Sequence, residues 1–201
     1  TRVARRLAGG YQRVNTSTDY DTVGFPVYLA FDGVDDWGNT PTITPGTDKV
    51  QVFAGVQKPA DTARGMVVEL GASADANNGA FALTAPNAAT ATFAFDSKGT
   101  TLAEAEATGQ TAPKTAVLTA LGDIAGASAK LRINGADAAT NTGTQGTGNY
   151  LASPLYLGAR GGSSLYSKAR LYGLLLRFGA NLTAQQISDA EAWMNNKTGA
   201  Y

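Results

Sequence analysis

Apolar and polar residues alternate in short runs along most of this 201-residue chain, separated by Gly, Asn, Asp and Thr. A repeat of two puts successive side chains on opposite faces of a strand. In VYLAF (27–31), Val27, Leu29 and Phe31 share a face. In KVQVFAGV (49–56), Val50, Val52, Ala54 and Val56 do, and Gln51 points the other way. GMVVEL (65–70) repeats the pattern with Met66, Val68 and Leu70. FAL (81–83), TFAF (92–95), AVLTAL (116–121), PLYLGA (154–159) and ARLYGLLLRF (169–178) are further strand candidates. AKLRIN (129–134) sets Leu131 and Ile133 against Lys130 and Arg132, and ends in Asn134-Gly135, a strong hairpin signal. Together these runs predict an all-β fold, an antiparallel β-sandwich or jelly roll.

One segment breaks the rhythm. In NLTAQQISDAEAWMNN, Thr183 reads as an N-cap with Gln186 three residues later, a capping box, and Leu182 and Ile187 are placed as a hydrophobic staple. Ile187, Ala190 and Met194 form one stripe, which predicts a short C-terminal helix lying on a sheet with Trp193 packed. The stretches 71–80 and 134–150 are small, polar and long. They read either as ligand-bearing loops or as idle surface.

Composition narrows the chemistry. Lys+Arg and Asp+Glu number 16 each, so no clustered positive field marks nucleic acid or an anionic membrane as the main partner. The absence of cysteine removes disulfides, thiol catalysis and zinc-thiolate sites, and the absence of histidine removes a Ser-His-Asp triad. No apolar run approaches the roughly 20 residues that span a bilayer. The start TRVARR, with neither Met nor an apolar leader, predicts a piece of a longer polypeptide. Residues 1–26 are expected as a basic arm or linker with the first strand, carrying Arg2, Arg5, Arg6 and Arg13, and 27–201 as the sandwich.

Three stretches carry candidate chemistry. FDGVDDW (31–37) lacks the ligand spacing of an EF-hand, and its aspartates read first as a turn. Two further readings stand beside that: a Ca²⁺ site from Asp35 or Asp36 with carbonyls of another loop, and ligand contact by Asp36 and Trp37. GARGGSS (158–164) matches no phosphate loop and reads as a hairpin connection. Its Arg160, Ser163 and Ser164, with Tyr166 beyond, would suit a sugar, which offers one apolar face and a polar rim. Asn149 and Tyr150 complete the candidate ligand set. The four glutamates, Glu69, Glu104, Glu106 and Glu191, lack the signature of two carboxylates flanking an aspartate on one strand. A non-enzyme is therefore expected, with no catalytic residue.

Five segments in order resemble the laminin-G-like branch of the concanavalin A-like lectin/glucanase superfamily: FDGVDDW after a strand, VQVFAGVQK, LRINGADA, PLYLGARGG, and ARLYGLLLRFGANLTAQQISDAEAWM. Ala54 stands where many members carry Trp. The FDGVDD and LYGLLLRFGANLT segments look most like domains of tailed-bacteriophage structural proteins. What this resemblance implies is a concanavalin A-like jelly roll in a virion appendage, assembled in the bacterial cytoplasm. Its implied partners are a host-surface glycan, other virion subunits and further copies of itself. A structural decoration module without sugar binding, and a glycan-degrading enzyme, are the alternatives.

Overall fold

The computed structural model describes residues 28–201, so the basic arm and Val27 lie outside the described residues. Two six-stranded sheets face each other, and every strand pairing is antiparallel. The first sheet runs, in spatial order, β1 (Leu29–Asp32), β12 (Lys168–Phe178), β3 (Lys49–Lys58), β8 (Lys114–Asp123), β9 (Ser128–Ile133) and β10 (Ala136–Asn141). The second runs β2 (Gly38–Asn39), β11 (Leu155–Leu157), β4 (Met66–Leu70), β5 (Ala80–Thr84), β6 (Phe93–Lys98) and β7 (Leu102–Ala107). This is the antiparallel sandwich that the period-two patterning predicts, in the jelly-roll form that the resemblance implies.

Between the sheets lies the main core. Val50, Val52, Ala54 and Val56 of β3, with Leu118 and Leu131, face Phe81, Leu83, Phe93 and Phe95. Each large side chain buried there contributes roughly 1.5–3 kcal/mol. The Asn134-Gly135 signal is a two-residue hairpin: Ile133 pairs with Ala136, and both loop residues have positive φ (52° and 78°).

Four details extend or correct the expectation. The polar stretch 134–150 contains β10, whose ADAATN offers no apolar alternation to read. AEAEA forms the edge strand β7, with Ala103, Ala105 and Ala107 inward and Glu104 and Glu106 outward. A bulge between Met66 and Val68 turns both Val67 and Val68 into the core, so Met66 faces outward with Ala74, Ala80 and Ala82. GARGGSS is not a simple hairpin connection, since it carries the chain from β11 in one sheet to β12 in the other.

The helix α1 (Ala184–Thr198) begins with both halves of the capping box at Thr183 and Gln186. Its Met194, with Ile187, Ala190 and the preceding Leu182, packs on Phe53 and Val117 of the first sheet. Gly55 and Gly173, paired across β3 and β12, make the seat: a Cβ on either would stand 3.0 Å from the Met194 sulfur. Arg132 of β9 adds an ion pair to Glu191 at 2.8 Å. Trp193 does not pack as expected; it is 45% exposed, with Lys197 4.5 Å over its ring. Among the described residues no helix is long and apolar enough to cross a membrane.

Candidate functional site

The outer face of the second sheet is built differently. One row of paired residues crosses all six strands: Asn39, Tyr156, Glu69, Ala82, Asp96 and Glu104. Alternation explains the row, because Leu155 and Leu157 point into the core and leave Tyr156 outside. Small Ala82 at its centre packs with Met66, Ala74 and Ala80, and two long arginines reach the charged members of the row.

Those arginines come from loops. Arg160 reaches Glu69 (Nη2–Oε1 3.0 Å) and Asp75 (Nη1–Oδ2 2.5 Å). Arg64 reaches the same Asp75 oxygen at 2.9 Å and Asp96 at 2.6 Å. The chain Glu69–Arg160–Asp75–Arg64–Asp96 therefore ties three loops to β4 and β6. Glu69 and Asp96 are fully buried, whereas the Asp75 side chain is 39% exposed.

Environment separates these carboxyls. Burial pushes Asp96 up to about 7, against the pull of Arg64 and with help from the neighbouring Glu104 and Asp75 charges. Burial also raises Glu69, although the Ala74 N–H and Arg160 oppose it. Asp75 feels burial too, but hydrogen bonds from Arg160 and Arg64 outweigh it and hold the carboxyl below its ordinary value. Of the three, only the exposed acid is shifted toward its ionised form.

The connection 158–166 folds over this charged floor. Arg160 and Ser164 form an isolated antiparallel bridge, closed by the Arg160 N–H donating to the Ser164 carbonyl at 2.8 Å. Leu165 packs against the Met66 cluster and anchors the turn. Gly162 has φ +71° and lies against Trp37, where a Cβ would sit 2.8 Å from the indole. Trp37 also lies 6.2 Å from Tyr156, the two rings tilted by 40°. Tyr166 donates from its hydroxyl to the Gly162 carbonyl at 3.4 Å. Half-buried Trp37 and Tyr156, exposed Ser163 and Ser164, and half-buried Arg160 and Tyr166 therefore share one neighbourhood.

The acidic turn adjoins it, since Gly158 approaches the Asp36 carbonyl and Phe31. Asp32 Oδ1 accepts from the Val34 N–H (2.9 Å) and the Asp35 N–H (3.4 Å), and Asp36 Oδ2 accepts from the Asp32 N–H (3.2 Å). These bonds make it a turn held by its own side chains. One oxygen from each of Asp32, Asp35 and Asp36 lies within 4.8 Å of the others, a hard-oxygen set that suits Ca²⁺ chemically. Asp36 itself is only 3% exposed, so the expected ligand contact through its carboxylate is corrected: it supports the turn from inside.

Asn149 and Tyr150 do not join this neighbourhood. Asn149 is exposed and donates to the Gly46 carbonyl at 3.2 Å. Tyr150 is a core residue rather than a stacking platform, 1% exposed, with its ring edge-on to Phe81 at 5.9 Å and its hydroxyl 2.6 Å from Ser97. Burial raises its phenol accordingly. Glu69 and Glu104 stand in the same row but with Ala82 and Asp96 between them, and Glu69 has no accessible surface. Sequence reasoning missed Tyr156, Arg64, Asp75 and Asp96. Only Tyr156 had a local signal, its outward place in PLYLGA.

Neither a family model nor any curated protein matches the sequence. Solved structures do match in fold. A native heptameric SAP-like pentraxin from Limulus polyphemus aligns with a TM-score of 0.59 at 14% identity, over 79% of this chain and 78% of that one. The CBM40 domain of a Ruminococcus gnavus IT-sialidase, bound to α2,3-sialyllactose, aligns at 0.57 and 10%, over 76% and 97%. Botulinum neurotoxin type C, whose cell entry depends on two ganglioside molecules, aligns at 0.61 and 11%, over 85% of this chain but 43% of that one. At these identities the likeness establishes a shared jelly-roll β-sandwich.

Proposed function

We propose that the chain is a non-enzymatic glycan-binding domain whose sugar surface is the Trp37–Tyr156 pair with the 158–166 turn. One observation carries this reading: two half-buried rings sit beside exposed Ser163 and Ser164 and the Arg160–Asp75 pair, on the sheet face that the helix leaves uncovered. Aromatic faces stack on the C–H face of a pyranose, and the polar groups meet its hydroxyl rim. Fold neighbours that bind sialyllactose or depend on gangliosides support it.

The sequence resemblance extends the proposal to a phage virion appendage that recognises a host-surface glycan, with weak single sites multiplied by copy number. Binding to a glycan array and to whole cells tests it. Trp37→Ala and Tyr156→Ala are each expected to weaken binding about tenfold or more while the fold remains. Unchanged binding in both would move the site elsewhere. A second reading, a virion packing module without sugar binding, is favoured by Leu175, Trp193 and Tyr201, which are exposed outside the sugar surface. Tight self-association with no glycan bound would select it.

A further inference from the structure

The charges on this sheet face point to a class of glycan. We infer, building on the sugar surface proposed above, that it takes an uncharged pyranose and turns away one carrying a carboxylate.

A carboxylated sugar is held by a guanidinium fork or an ammonium that offers its N–H groups. Beside the ring pair the guanidinium N–H groups are either engaged by carboxylates or buried, and one of the two nearby ammonium groups is engaged as well. Arg160 gives Nε to Glu69 and Nη1 to Asp75, while its Nη2, 3.0 Å from Glu69 in the ion pair, is buried without a hydrogen-bond partner. Arg64 gives Nη1 to Asp75 and Nη2 to Asp96. Three carboxylates thus share two guanidiniums, and Glu104 follows next in the row. Lys98 spends its ammonium on the carbonyls of Asp75 (2.7 Å) and Ala76 (3.1 Å). Lys168 sits at the other flank, opposite Asp32 in register, its Cβ beside Gly33 of the acidic turn.

What the surface presents outward is therefore an acceptor. Asp75 is the most exposed member of the chain of ion pairs, and its carboxyl is held ionised. A carboxylate accepts from hydroxyl groups and repels another carboxylate. A neutral sugar supplies those hydroxyls while its apolar face covers Trp37 or Tyr156. A sialylated one brings its charge against Asp75.

The test uses the full chain and matched pairs, such as lactose with α2,3-sialyllactose and neutral glucans with their uronic-acid counterparts, in low and high salt. The neutral member is expected to bind about tenfold or more tightly, and the gap to narrow as salt screens the repulsion. Asp75→Asn opens both guanidiniums, so the neutral-to-acidic ratio is expected to fall several-fold, with the melting temperature as the control for folding. Equal or tighter binding of the acidic member by the native chain overturns the inference and leaves glycan binding standing. A gap that does not respond to salt also overturns it. Binding to no sugar in the panel removes both readings together.

Discussion

The two outer faces of the sandwich are sealed by different physics. Over the first sheet lies α1, held chiefly by apolar contact: Met194, Ile187 and Leu182 against Phe53 and Val117, with the Arg132–Glu191 pair at the side. Over the second sheet lie loops, held by a chain of five charges on a small apolar patch. Apolar contact is indifferent to pH and needs no particular partner. A buried ion pair carries the desolvation cost of both groups and depends on each staying paired. One face is therefore a robust lid, and the other a covering whose strength follows solution conditions.

The largest way to break that contrast is Arg160→Ala, which strands the fully buried Glu69. It is expected to cost about 3–5 kcal/mol in denaturant unfolding. Replacing both partners, Arg160→Met with Glu69→Gln, should recover most of the loss, because no buried charge is left alone. On the opposite face Met194→Ala should cost about 2–5 kcal/mol through transfer and cavity, and its cost should not vary with pH. Equal pH profiles for Arg160→Ala and Met194→Ala would erase the distinction.

The next effect is the pH dependence itself. Asp96 titrates near 7 when folded against an ordinary value of 3.8, so the folded state holds the proton more tightly. Its contribution is complete below about pH 4 and is lost as pH rises through about 7. Glu69 is shifted the same way, whereas Asp75 and Asp123 are shifted down and lose their contribution in acid. Stability is expected to decline between about pH 4 and 7 by up to roughly 1 kcal/mol per unit. Asp96→Asn should flatten that slope in thermal melts. A slope unchanged by the substitution would assign the proton elsewhere.

The smallest effect concerns the acidic turn. If it holds a cation, millimolar Ca²⁺ should raise the melting temperature slightly by mass action, and Asp35→Asn should remove the rise. A melting temperature that ignores Ca²⁺ leaves Asp32, Asp35 and Asp36 with the backbone role their bonds already show.

Much of the fold was legible because its signals are local. Leu131 and Ile133 against Lys130 and Arg132, then Asn134-Gly135, mark a strand and its turn within eight residues. Thr183 and Gln186 announce the helix in the same way. The misreadings are non-local. Tyr150 sits in a polar GTGNY stretch, yet its ring fills space between Phe81 and Phe178, which no neighbour in sequence reveals. Arg64, Asp75 and Asp96 are ordinary charges until the chain brings them together across as many as 32 positions. Trp37, Arg160, Ser163 and Tyr166 were visible one by one, but their shared neighbourhood depends on a turn that crosses from sheet to sheet.

Where β7 and β10 meet at one side of the sandwich, the Asn141 amide donates to the Glu104 carbonyl at 2.9 Å, and Glu104 and Glu106 point outward. That border is stitched to its neighbour and fringed with negative charge, so an adjoining molecule cannot zip a strand onto it. Contact between copies on this side of the sandwich would then run through side chains rather than through a shared strand ladder.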